Sequence, residues 1–197
     1  KIKHSDKMEI QQKEDFTKSL KIIGKQIKQI ENLVNEFSDF ARMPKPILKD
    51  NNLVPLIKDN INLIKELDDN ISIHFESNVN DIVLNSDNEQ LSRVFFNLIK
   101  NSIESIQERV HDSLKGKIDI IINENQNYID FTIIDNGKGF DELQKNIRDI
   151  FNPYFTTKKR GTGLGLAIVN KIISDHNGTI NLIPLENGAK IHIQFIK

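Results

Sequence analysis

The sequence predicts an α/β two-layer sandwich, a mixed and mostly antiparallel sheet with helices on one face, preceded by a long bundle helix. Three observations carry this. Residues 8–42 contain no proline and place apolar side chains at alternating steps of four and three, the spacing of a helical seam. Beyond "MPKP" (Met43–Pro46), segments of two-residue alternation are interleaved with segments at helical spacing, the mark of sheet and helix sharing one core. The strand pairs "KIDIIIN"/"YIDFTIID" and "GTINLIP"/"AKIHIQFI" are each joined by a short polar turn, so these neighbours run antiparallel.

The stripe of the first helix is Phe16, Leu20, Ile23, Ile27, Ile30, Val34, Phe37 and Ala41. Leu33 and Phe40 widen it beyond a strict seam and favour a four-helix bundle over a two-stranded coil. One helix cannot bury such a stripe alone, so it calls for partners from the rest of a longer chain or from a second copy. Proline lacks an N–H and restricts the residue before it. The helix therefore ends at Met43–Pro46, and a domain boundary falls between residues 43 and 44. Residues 53–67 then read as a helix, "ISIHFES" (71–77) as a strand, "DIVLN" as a short strand, and 87–110 as a helix. Strands at 117–123 and 128–135 flank the turn "ENQN". A loop-rich stretch with a short helix spans about 140–161, a helix covers 163–176, and the final hairpin closes the chain.

Composition narrows the function classes. With 197 residues, the chain has room for one domain and an appendage, or for two small domains. A net charge of −1 argues against a nucleic-acid binder, which would show a basic excess or stripe. The absence of cysteine excludes disulfides, a thiol nucleophile and a cysteine zinc site. No apolar run approaches the roughly 20 residues needed to span a bilayer. The opening "KIKHSDKMEI" has no initiator Met, and the expectation is a piece of a longer chain.

Three motifs could carry chemistry. On "LSRVFFNLIKNSIESI", Leu91, Val94, Phe95, Leu98 and Ser102 share one helical face, with Asn97 and Asn101 one turn apart on its shoulder and Glu104 close by. An amide oxygen suits Mg²⁺, a hard cation that takes oxygen ligands and retains water; the alternative is that these amides satisfy backbone or water. In "IIDNGKGF" a strand ends on Asp135 and turns through Asn136, Gly137, Lys138 and Gly139. An Asn-Gly turn is the simple reading. The functional one has the carboxylate accept the exocyclic amine of adenine, with glycines letting a flat base approach. Finally, "IFNPYFTTKKRGTGLGLAIV" sets a basic run and three alternate glycines before an apolar helix. Exposed backbone N–H groups, a helix start and basic side chains together favour an anion, a phosphate in particular. The glycine pattern is neither a Walker loop nor a dinucleotide fingerprint.

The order and spacing of these motifs resemble the N, G1, F and G2 boxes of the ATP-binding domain of sensor histidine kinases. This is the Bergerat-type (GHKL) fold, shared with type II topoisomerases, heat-shock ATPases of the ninety-kilodalton class and mismatch-repair ATPases. The resemblance extends from about residue 16 to the last strand. "VNEFSDFARMPKP" and "FNPYFTTKKRGTGLGLAIV" look like nitrogen-regulation sensor kinases of the NtrY type.

The resemblance implies roles. Asn101 would bind Mg²⁺, and Asn97 would help hold the metal–phosphate region. Asp135 would take the adenine amine, with Gly137 and Gly139 shaping the base pocket. Phe151 and Phe155 would anchor the base of a mobile lid. Lys158, Lys159 and Arg160 would approach the phosphates as that lid closes, and Gly161, Gly163 and Gly165 would offer N–H groups to the triphosphate. Thr157, Thr162 and Leu164 belong to the same nucleotide-contacting stretch. The catalytic set would be Asn97, Lys158 and Arg160. The reaction would be phosphoryl transfer from Mg–ATP, which rests on positioning and charge neutralisation. ATPases of this fold carry a glutamate general base near Asn97; an amide cannot take that proton, so the site favours a kinase over an ATPase, with Glu104 as a rival base.

The acceptor histidine of such kinases sits in an H-E-x-x-N-P-like stretch, and His4, His74, His111, His176 and His192 all lack that context. The reading is therefore a fragment. Residues 1–43 resemble the second helix of a dimerisation hairpin, and 44–197 the ATP-binding domain. The implied parent is a homodimer anchored in the bacterial inner membrane, its catalytic part cytoplasmic, passing phosphate to an aspartate of a response-regulator receiver domain. The fragment alone is not expected to autophosphorylate. The alternatives are a serine kinase of the anti-sigma type, an ATPase of the same fold, or a nucleotide-binding scaffold. A further departure is Lys190 in "NGAKIHI", where the family often has a small hydroxyl residue on the adenine side.

Overall fold

A computed structural model describes residues 2–65, 71–109, 115–139, 147–158 and 161–197. The chain divides into two compact units, Lys1–Met43 with Thr157–Thr162, and Pro44–Thr156 with Gly163–Lys197. In the first, helix α1 runs Ile2–Ala41, longer at its start than the stripe alone indicated. It stops where the prolines begin. Its apolar stripe is exposed: Phe16 is 65%, Ile27 61% and Ile30 63% accessible.

The second unit is the sandwich. Its elements follow as β1 (Lys49–Asn52), α2 (Leu53–Lys65), β2 (Ile71–Ser77), β3 (Val83–Ser86), α3 (Asn88–Gln107), β4 (Gly116–Glu124), β5 (Tyr128–Asp135), a 3-10 turn (Ile147–Phe151), α4 (Gly165–Asp175), β6 (Gly178–Pro184) and β7 (Ala189–Ile196). Five strands form one sheet in the order β2-β4-β5-β7-β6. Only β2 and β4 run parallel; the other neighbours are antiparallel. β1 was not foreseen. "KDNN" has no apolar alternation, and it becomes a strand by pairing with β3, Lys49 opposite Ser86.

The three central strands bury alternate residues, as the two-residue period requires. On β4 these are Ile118, Ile120 and Ile122; on β5, Ile129, Phe131, Ile133 and Asp135; on β7, Ala189, Ile191, Ile193 and Phe195. α2, α3 and α4 cover that one face, α2 beside β2, α3 over β4 and β5, and α4 over β6. At the centre, the Phe95 and Phe131 rings pack with centroids 4.9 Å apart and planes tilted by 45°, within the spacing that aromatic pairs favour. Asp135 is the one carboxylate that this alternation carries onto the buried face of β5.

Candidate functional site

Helix α3 is fixed first at its N-terminus. Asp87 caps it: one carboxylate oxygen accepts the N–H groups of Glu89 and Gln90, each at 3.1 Å, and the other accepts Ile47 N–H at 2.8 Å. Burial, the largest influence on this carboxyl, pushes its pKa up. The N–H groups of Ile47, Gln90 and Glu89 outweigh burial and hold the pKa below the ordinary range. The sequence places His176 at a helix end, where its charge would meet the dipole. The structure gives it a different task. Buried at the end of α4, it donates Nδ1–H to the Ile172 carbonyl at 2.8 Å and accepts Asp87 N–H on Nε2 at 2.9 Å. The ring thus joins the end of α4 to the start of α3 as a neutral acceptor. Along α3, Leu91, Val94, Phe95, Leu98, Ser102 and Ile106 are buried, and Asn97 and Asn101 stand half-buried on the shoulder, as the helical spacing predicted.

The strand end and its turn are built against α3. Asp135 is 6% exposed. Its Oδ2 accepts the Ser102 hydroxyl at 3.1 Å, and its Oδ1 accepts Gly137 N–H at 3.0 Å. Ser105 holds the rest of the turn: its carbonyl accepts Lys138 N–H at 3.0 Å, and its hydroxyl accepts Gly139 N–H at 3.4 Å. A Cβ on Gly137 would lie 2.7 Å from the Ser105 carbonyl carbon, so the turn packs on the helix backbone only with glycine there. Gly139 has a φ of +72° and stands over the Gly188 carbonyl, 2.6 Å from where its Cβ would be. Asn136 ties the same turn to β4, accepting Lys117 N–H at 2.8 Å and donating to the Lys115 carbonyl at 3.0 Å, while Arg109 donates to the Asn136 carbonyl at 2.6 Å.

Sheet register moves one expectation. Asp135 pairs with Ala189, and Ile134 with Lys190. Directly opposed residues share a face, so Ala189 stands beside Asp135 and Lys190 lies on the other side of the sheet.

In the loop, Ile150 is buried, Phe151 is half-buried and Phe155 is 37% exposed. Tyr154, at a φ of +69°, donates its N–H to the Gly163 carbonyl at 3.0 Å. Gly163 has a φ of +70°, and its Cβ would lie 2.7 Å from Tyr154 Cα, so this crossing too needs glycine. α4 then begins after Leu164, which is buried and gives no side-chain cap. The helix starts at Gly165, two residues later than expected. A Cβ on Gly165 would meet nothing within 4 Å. Thr157, Lys158, Gly161 and Thr162 fall in the first unit. There Gly161 N–H donates to the Lys158 carbonyl at 3.2 Å, and the Thr162 hydroxyl donates to the Glu36 carboxylate. Lys159 and Arg160 lie outside the described residues, as does His111.

These features fit a nucleoside triphosphate. An uncapped helix start presents unsatisfied N–H groups, and the open space at Gly165 adjoins it. A buried carboxylate stands at the end of β5 with its orientation fixed. Among the described residues, no group of three or more His, Cys, Asp or Glu could hold a metal. A divalent ion here would rely on amide oxygen and on the ligand itself. An open groove of about 630 Å³ between α2 and α3, lined by Asn60, Leu63, Ser92, Arg93 and Phe96 among others, includes none of the expected site residues. The α3 start beside it is already capped by Asp87.

Sequence reasoning missed Ser105, Gly188 and Arg109, and placed Ser102 on the face without a task. Ser105 and Ser102 carry no motif signal, because their partners are backbone and a residue far along the chain. Gly188 had a signal, an Asn-Gly pair in the hairpin. Of the remaining histidines, His74 is exposed on β2, and His192 lies 3.1 Å from the Asp130 carboxylate.

Comparison with known proteins agrees with this geometry. A family model described as histidine kinase-, DNA gyrase B-, and HSP90-like ATPase matches residues 86–197. An NtrY-like sensor histidine kinase of Rickettsia felis is 40% identical over 95% of this chain and 30% of its own length. The nitrogen regulation protein NtrY of Azorhizobium caulinodans is 35% identical over 93% of this chain and 24% of its own. The chain thus spans about a third or less of the relatives it matches. The catalytic domain of histidine kinase ThkA aligns with a TM-score of 0.66 at 33% identity, covering 76% of this chain and 97% of that one. ThkA in complex with response regulator protein TrrA gives a TM-score of 0.73 at 28% identity, covering 89% and 49%. The chain belongs to the family of histidine kinase-, DNA gyrase B- and HSP90-like ATPases, and its relatives there include sensor histidine kinases of the NtrY type.

Proposed function

We propose that this chain binds Mg–ATP and supplies the γ-phosphoryl group to a histidine of a longer sensor kinase, for relay to an aspartate of a response regulator. The observation that carries this is the buried Asp135 carboxylate, held through both oxygens at the end of β5 beside the helix that bears Asn97 and Asn101. In this reading Asp135 accepts the adenine amine, and the turn through Gly137 and Gly139 borders the base. Asn101 offers an amide oxygen to Mg²⁺, and Asn97 steadies the phosphate end without activating water. The open start of α4, with Gly161, Gly163 and Gly165, receives the triphosphate; Lys158 and Arg160 neutralise charge as it transfers. Bound Mg²⁺ would further neutralise the phosphate oxygens.

Residues 1–43 would be the second helix of a dimerisation hairpin and 44–197 the catalytic domain. The exposed stripe of α1 supports self-association, since Phe16, Leu20, Ile23 and Ile27 are all more than half exposed. Removing residues 1–42 should convert an associating species to a monomer, measured by light scattering; no change of mass would refute the assignment. Among the described residues, no helix is long and apolar enough to cross a membrane, so membrane anchoring is assigned to the parent.

The test is an ATP titration with and without Mg²⁺. Asp135→Asn turns an acceptor into a partial donor toward the adenine amine and should weaken binding by about 10- to 100-fold, the loss of a charge-assisted hydrogen bond. Asn101→Ala should remove the Mg²⁺ dependence. Equal binding by all three proteins would overturn the reading.

A further inference from the structure

Both oxygens of Asp135 are engaged by donors of the protein itself. Gly137 N–H comes from the same turn, as in many Asx turns. The Ser102 hydroxyl comes from another element, 33 residues earlier in sequence, and reaches Oδ2 across the buried interface of α3 and β5. Ser102 is 3% exposed, on the stretch of α3 that also buries Leu98, Ile99 and Ile103. A hydroxyl in such surroundings would be costly without a partner, and this one is directed to the carboxylate. The two donors approach from different directions and together hold the carboxylate plane.

We propose that Ser102 is a positioning residue for base recognition: by donating to Oδ2 it orients Asp135 as a fixed acceptor for an exocyclic amine, and so sets the preference for adenine over a 6-oxopurine. This rests on the reading of Asp135 as the adenine contact. A 6-oxopurine presents a carbonyl where adenine has its amine, and a carboxylate held as an acceptor faces it unfavourably. Without Ser102 the carboxylate is less firmly oriented, and the distinction fades. An apolar residue at 102 would pack as well and specify less.

The experiment measures Mg–ATP and Mg–ITP binding by calorimetry for the wild-type chain, Ser102→Ala, Asp135→Asn and the double variant. Alanine is the smaller residue and the better helix former, and a melting curve checks each fold. Ser102→Ala should weaken ATP binding about 10-fold and change ITP binding less than 2-fold, so the ATP/ITP ratio shrinks. In the Asp135→Asn background the same change should add less than 2-fold. If Asp135→Asn weakens ATP while Ser102→Ala changes ATP and ITP equally, or neither, the proposal is overturned and the Asp135 contact stands. If Asp135→Asn leaves ATP binding intact, the contact itself is wrong and the proposal falls with it.

Discussion

The two helices that frame the site begin in opposite ways. α3 starts on Asp87, whose carboxylate takes three backbone N–H groups. α4 starts on Leu164, which offers no side-chain acceptor. The neighbouring glycines divide along the same line. Gly137 is filled in by Ser105, so protein packing alone demands it, whereas a Cβ at Gly165 would meet open space. A helix start satisfied by its own side chain is finished structure. One left open, beside a glycine that packing does not require, has room and donors for an external anion.

Substitutions can sharpen or break that contrast. The largest effect on stability is expected from Gly137→Ala, which forces a Cβ against the α3 backbone and should cost roughly 1–3 kcal/mol in denaturant unfolding. A loss below about 0.5 kcal/mol would mean the turn is not packed as described. Asp87→Ala comes next, at about 1 kcal/mol for a lost N-cap. Its pH dependence has a definite sign. The folded pKa of Asp87 is depressed, so its contribution is present above the unfolded value of about 3.9 and is lost as pH falls through the lower folded value. The gap between wild type and variant should therefore be full at pH 7 and close below about pH 4. A gap constant down to pH 2 would show that the carboxylate charge is not what caps α3. The smallest effect on stability belongs to Gly165→Ala: within about 0.5 kcal/mol, or a slight gain from better helix propensity. The same variant should weaken ATP binding several-fold. Unchanged binding would leave the open start of α4 without a ligand.

Much of the fold is legible in the sequence because it rests on local periodicity. Two-residue alternation alone puts Ile129, Phe131, Ile133 and Asp135 on one face of β5, and helical spacing alone puts Asn97 and Asn101 on the shoulder of α3. β1 is illegible because "KDNN" owes its strand to pairing with β3. Which residue of β7 stands beside Asp135 is also illegible, because one residue of register separates the two faces: the pairing puts Ala189 there and Lys190 on the other side. His176 looks like a charged helix end, and only the approach of Asp87 N–H shows it as a neutral acceptor.

The sequence by itself determined the elements, their faces and the set of motifs, since these depend on spacing along the chain. Spacing makes its motif glycines look alike, as phosphate or base contacts. Tertiary structure decided which of them the protein itself requires, because that depends on what lies beside the missing Cβ: the α3 backbone at Gly137, the Tyr154 backbone at Gly163, and open space at Gly165. It also decided that Asp135 is held by Ser102, because a hydrogen bond between residues 33 apart exists only once a helix lies across a sheet.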